Sequence, residues 1–187
     1  MKTTVQLIVV CGVAVLVGLA VLRSVARNSV MASQSSAPVS IARADGPLAL
    51  GAQPTRVRLI SSAGPAVSIA GLLTGLGHDQ RLLLVLRRVW AERPPGVLFQ
   101  IFLDLPEGGP ADGNSLNYVG TLNFFRALPG ANTGDADVFE SFDITDVARA
   151  VAAVQTREDF ATVTIVAVGT PASDARAGIG GVEIVRQ

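Results

Sequence analysis

His78 is the single histidine of the chain and lies in Gly75-Leu76-Gly77-His78-Asp79, just before an apolar run. Any site built from two or more imidazoles is therefore beyond this sequence. A serine–histidine–aspartate triad would have to use His78, yet no Gly-x-Ser-x-Gly elbow accompanies it. With the other geometric demands of a triad unmet, His78 reads as an exposed loop residue. The sole cysteine, Cys11, sits in an apolar leader, which leaves the remainder with neither a disulfide nor a thiolate metal site. Asp135, Asp137, Glu140, Asp143 and Asp146 form an acidic stretch. Calcium takes about six to eight oxygens, some of which Asp135 and Asp137 would offer. A solvated hairpin tip followed by a helix cap explains the same residues with fewer assumptions. The glycines within 71–77 and 178–181 lack the Gly-Lys-Ser/Thr of a phosphate loop and read as turn and bulge positions. No catalytic, cofactor-binding or metal site is expected.

The elements that surround these residues must then carry the function. Apolar residues make up 49% of the 187, enough for one domain with a buried core. Fifteen basic side chains balance fifteen acidic ones, so the basic excess that phosphate backbones require is missing and no nucleic-acid partner is expected. Lys2 is the only lysine; the other basic residues are arginines.

Residues 5–22 are apolar except for Gln6, with Lys2 before them and Arg23 and Arg27 after. About 20 apolar residues cross a bilayer, so 1–27 is expected to be a single transmembrane segment, a signal-anchor. The alternative is a cleaved signal peptide, whose apolar stretch is usually about 7–15 residues. Ser24-Val25-Ala26 is a passable cleavage site, but Arg23 directly before it is unfavourable. Positive charge flanks both ends, so orientation is weakly set, and the soluble domain is expected outside the cytoplasm at the cell membrane. Residues 28–46, with Ser-Gln-Ser-Ser-Ala-Pro, read as a flexible linker. Residues 47–187 read as the folded domain.

That domain carries strand signals throughout. Residues 56–60 place Val57 and Leu59 on one face and Arg56 and Arg58 on the other. Residues 81–90 are apolar on both faces, as in a covered central strand. Residues 97–105 alternate, with Val97, Phe99, Ile101, Leu103 and Leu105 on one side and Gln100 and Asp104 on the other. A glycine- and proline-rich loop over 106–115 follows. Further strands are expected over 117–125, 138–144, 161–168 and 181–186. One short helix is expected over Thr145–Val154, with Val147, Val151 and Val154 on one stripe and Asp143 or Thr145 as cap. The fold class is all-β, an antiparallel β-sandwich with one short helix. Among the aromatics, Phe102, Tyr118 and Phe124 are the candidate partner contacts. Phe102 falls opposite Phe99 and Ile101, so it is expected either to be exposed or to be covered by the helix or the segment before residue 80.

From residue 81 onward the sequence resembles the C-terminal β-sandwich domain of the tyrosinase and polyphenol oxidase family of type-3 copper proteins. Val97-Leu98-Phe99-Gln100-Ile101-Phe102-Leu103-Asp104-Leu105-Pro106-Glu107-Gly108 resembles the family's extended strand and the Leu-Pro-Glu turn of bacterial members. Tyr118-Val119-Gly120-Thr121-Leu122-Asn123-Phe124-Phe125 resembles its Tyr-x-Gly-Thr/Ser-Leu/Phe strand. Phe142-Asp143-Ile144-Thr145-Asp146-Val147 resembles its strand-to-helix corner, and Ile179-Gly180-Gly181-Val182-Glu183-Ile184 its terminal strand. The resemblance implies a sandwich that packs on a helical copper domain and, in some members, covers the active-site entrance. The histidine-bearing domain has no counterpart here; a membrane segment and linker stand in its place. The expected function is a non-catalytic, membrane-anchored accessory or docking domain for a separately encoded tyrosinase-like oxidase. The alternative is a general cell-envelope interaction module with no copper partner. Tyr118 is the position that the resemblance offers for a residue entering a copper pocket.

Overall fold

The computed structural model describes residues 37–62, 64, 67–129, 138–154 and 160–187. The expected transmembrane segment at 1–27 and the first part of the linker lie outside these residues, as do Asp135 and Asp137. Among the described residues no helix is long and apolar enough to cross a membrane.

Among the described residues, nine strands build two antiparallel sheets. They are β1 (Val39–Leu50), β2 (Thr55–Arg58), β3 (Ile60–Ser61), β4 (Leu82–Trp90), β5 (Phe99–Leu103), β6 (Tyr118–Leu122), β7 (Glu140–Asp143), β8 (Thr162–Ala167) and β9 (Ala177–Arg186). The five-stranded sheet runs β3-β1-β9-β4-β7 and the four-stranded sheet β2-β8-β5-β6. Their inner faces share one core. Leu82, Leu84, Leu86, Val182 and Ile184 enter it from the first sheet, and Phe99, Ile101, Leu103, Val163 and Ile165 from the second. The alternation expected within 97–105 is thus the one observed, because a strand buried on one face turns every second side chain inward.

Two elements differ from expectation. Val39–Gly46, expected in the linker, is the first part of β1, which pairs with β9 from Val39↔Arg186 to Leu50↔Ala177. Its apolar signal is weak because a core position is the small residue Ala42, and irregularities at Ser40/Ala42 and Asp45/Leu48 break the period of two. A second helix, α1 (Ile69–Leu73), lies where the glycines suggested only turns. The Ser68 hydroxyl accepts from the Gly71 N–H at 3.1 Å, and Ile69 and Leu72 enter the core.

The expected helix is α2 (Thr145–Val154), which buries Thr145, Ala148 and Val151. Its entry is fixed by Asp143, whose carboxylate accepts from the Thr145 N–H at 3.0 Å and the Thr145 hydroxyl at 2.7 Å. The same hydroxyl oxygen accepts from the Leu82 N–H at 2.9 Å, tying the corner to β4. Desolvation by itself would raise the Asp143 carboxyl; the Thr145 donors, with Arg81 and Arg149, outweigh it and hold it below its ordinary value. A depressed carboxyl stabilises the fold above its unfolded pKa of about 3.9, and that contribution is lost as pH falls through the folded value. Asp143→Asn is therefore expected to lower the melting temperature at neutral pH and to flatten its decline below about pH 4. Thermal unfolding of both proteins across the acid range checks this; parallel curves would remove Asp143 from the account.

Candidate functional site

Of the three aromatics expected to contact a partner, two are internal. Phe102 is 0% exposed, so of the two expectations for it, exposed or covered, the structure shows the covered one, and its place among the partner contacts is corrected. The outward direction read from the alternation is right, since Phe102 stays out of the shared core. The Tyr118 ring packs against it, 5.8 Å away and edge-on, and the 104–117 loop leads from the end of β5 to that tyrosine. A Cβ added to Gly113 of that loop would lie 3.2 Å from the Gln100 Nε2, on the face that Phe102 shares. Phe124 is also buried, its ring 5.5 Å from Phe99 in an edge-on contact, which corrects its place among the contacts. Tyr118 is half-buried, and its hydroxyl lies 2.6 Å from that of Thr121.

The residues carrying the family resemblance have structural work. Gly120 has no Cβ because the Phe142 ring occupies its space, with Cδ1 2.7 Å from where one would stand. This close approach brings β6 of one sheet against β7 of the other. Asp143 and Thr145 shape the corner into α2, as above. His78 is exposed in a turn. Among the described residues no group of three or more histidine, cysteine, aspartate or glutamate side chains is placed to hold a metal.

The concave apolar feature lies at the loop end, where β4 leaves one sheet and β5 enters the other. The Pro94-Pro95-Gly96 turn, Leu98 and Phe124-Phe125 line a groove of about 270 Å³. Backbone bonds hold these loops together: the Ala172 N–H donates to Pro95 O at 2.9 Å, and the Val168 N–H to Leu98 O at 2.8 Å. β6 ends at Leu122, and the chain then turns, with the Phe125 N–H donating to Asn123 Oδ1 at 3.2 Å. The turn sends Phe124 inward and Phe125 outward. Phe125 is 78% exposed, and Leu98 and Val168 are exposed beside the groove. Phe125 was visible in the sequence beside Phe124. Only its position past the strand end, where alternation no longer applies, distinguishes it.

The arrangement is that of a sheet-on-sheet β domain. Among solved structures it is similar to latent aurone synthase, a polyphenol oxidase, at 16% identity and a TM-score of 0.45, covering 75% of this chain and 25% of that one. It is also similar to latent apple tyrosinase, at 16% identity and a TM-score of 0.45, covering 75% of this chain and 27% of that one. The chain thus spans about a quarter of the length of these structures. No protein-family model and no curated protein matches the sequence.

Proposed function

We propose that this chain is a non-catalytic docking domain, tethered to the cell membrane through residues 5–22 and facing away from the cytoplasm. Its partner is a separately encoded tyrosinase-like type-3 copper oxidase. The partner class rests on the ordered sequence motifs at 97–108, 118–125, 142–147 and 179–184. The observation that carries docking is Phe125, a large aromatic with 78% of its surface in water beside an apolar groove. Aromatic side chains at the rim of such grooves are the usual anchors of protein contacts, because burying them on association removes much apolar area from water at little entropic cost.

Phe125→Ser tests this. The side chain contributes little to the folded state, so the melting temperature should stay within about 1 °C, a surface substitution being worth under ~0.5 kcal/mol. Capture of a purified tyrosinase-like oxidase from the same cell envelope should weaken about thirtyfold, the cost of an interface anchor. Unchanged capture would remove the loop end as the docking surface. Loss of capture for other envelope proteins, with none for the oxidase, would favour the general interaction module instead.

A further inference from the structure

The loop-end groove and the ring beside it share a geometric property that docking of a different protein does not use. Phe125 projects from the surface next to a recess, so one patch carries both an apolar knob and an apolar hole. Rotate a second copy by half a turn about an axis standing between the two. Its ring then faces this recess, and its recess faces this ring. A patch complementary to itself is the condition for closed two-fold pairs, the commonest soluble oligomers. The sizes agree as well. A cavity of roughly 150 Å³ holds a benzene molecule. The recess offers about 270 Å³, room for one phenyl ring, and no charged residue lines it.

The rim fits the same occupant. The Glu92 and Arg93 backbone N–H groups both donate to Ala175 O, at 2.9 and 3.3 Å, which sets the turn walling the recess against the 172–176 loop. Across that junction Arg93 pairs with Asp174 at 2.7 Å, and Arg176 with Glu92 at 3.3 Å. All four side chains are more than half exposed. Two positive and two negative charges thus stand beside the recess. A rotated copy presents the same set, so each sign has its opposite to meet, whereas a partner of one dominant sign finds no such match. The formal net charge of the chain is zero, so no long-range repulsion keeps copies apart.

We propose that the loop end is a two-fold self-association surface, with Phe125 of each copy in the groove of the other, and that this pairing occupies the surface the oxidase would take. The second part rests on the docking function proposed above; the first does not. Near the axis the two rings approach each other in the offset or edge-on arrangements that aromatic pairs favour. One aromatic side chain buries roughly 150–250 Å². That falls well short of the roughly 800 Å² per partner of a stable interface, so the pair is weak and reversible. It closes the groove where copies are dense and opens it on dilution or when a tighter ligand arrives.

The test is sedimentation equilibrium of the full chain in non-ionic detergent, with micelles in large excess over protein. A reversible monomer–dimer equilibrium is expected. Phe125→Ser removes two anchors from each dimer, so a loss of about thirtyfold per ring compounds to roughly a thousandfold. The heterodimer of wild type with Phe125→Ser should be weakened by only about thirtyfold, because one ring remains. Leu98→Asp, at an exposed position of the groove wall, should also abolish pairing. Phe160→Ser, at an exposed ring beyond the other end of β8, should leave it unchanged. Phe125→p-benzoylphenylalanine should cross-link on irradiation to residues 94–98 of an isotopically distinguished copy. A chain that stays monomeric at every concentration, a dimer that Phe125→Ser leaves intact, or cross-links outside the groove overturn the proposal. Capture of purified oxidase separates the two readings. Phe125-dependent capture by a chain that never pairs sinks the pairing alone, and a Phe125-dependent dimer that captures no oxidase sinks the docking function and leaves the pairing standing. Oxidase bound to an intact dimer overturns the claim that the two compete.

Discussion

Replacing Phe102 with alanine is expected to destabilise the domain by about 3–5 kcal/mol, the range for deleting a fully buried aromatic ring. The ring lies outside the core that the two sheets share and is fully buried. Truncation leaves a cavity there. It also removes the ring on which Tyr118 packs edge-on at 5.8 Å. For a domain of this size the melting temperature should fall by roughly 2–4 °C for each kcal/mol, hence by about 6–20 °C. Urea unfolding of the full chain should show an earlier midpoint with an unchanged slope. The contrast with Phe125→Ser is the informative part. Both replace a phenylalanine of the same sheet region, yet one should abolish much of the stability and the other almost none. A Phe102→Ala protein that melts with the wild type would place the ring in solvent and reopen the β5 face as a contact surface.

That contrast also marks how far the amino-acid sequence could be read. Alternation along β5 assigned Phe99, Ile101 and Leu103 to one face and Phe102 to the other, and the structure agrees, because the period of a strand is a local property. Whether the second face meets water depends on where the 104–117 loop folds, and glycine and proline content reveals a loop without revealing its path. β1 was hidden for a related reason. The core-facing Ala42 is weakly apolar, and two irregularities disrupt the alternation, so the larger part of a long strand looked like linker. The motifs of the family resemblance encode packing: Gly120 yields to Phe142, and Asp143 and Thr145 set a corner. Residues with such duties are legible as a fold. The groove beside Phe125 is not, since it is assembled from segments far apart in sequence. Phe125 in particular becomes conspicuous only when β6 is known to stop at Leu122.

The base of the 104–117 loop supplies the second large effect. Asn117 is buried, and its side-chain amide donates to Leu103 O at 2.8 Å and to Asp104 O at 2.9 Å. Its own carbonyl accepts from the Leu103 N–H at 2.8 Å. Asp104, at a left-handed φ of 52°, ends β5 there, and its carboxylate accepts from the Thr162 N–H and hydroxyl. Asn117 therefore clamps the two ends of the 104–117 loop. Asn117→Ala leaves two carbonyls at the strand end without that donor. Each unsatisfied buried group costs about 1–3 kcal/mol, so a loss of roughly 2–4 kcal/mol is expected. Asn117→Asp keeps the shape but replaces a donor with an acceptor facing two carbonyl oxygens, and should be at least as damaging at neutral pH. Acidification should restore part of that loss, because a protonated aspartate regains one donor. Hydrogen exchange adds a local readout: in Asn117→Ala the amides of Ser115 and Tyr118 should exchange faster than those of β4 and β9, because the loop opens before the sheets do. Uniform acceleration across both sheets would mean that the clamp supports the whole domain, whereas an unchanged midpoint together with unchanged exchange would show that Asn117 does not hold the loop.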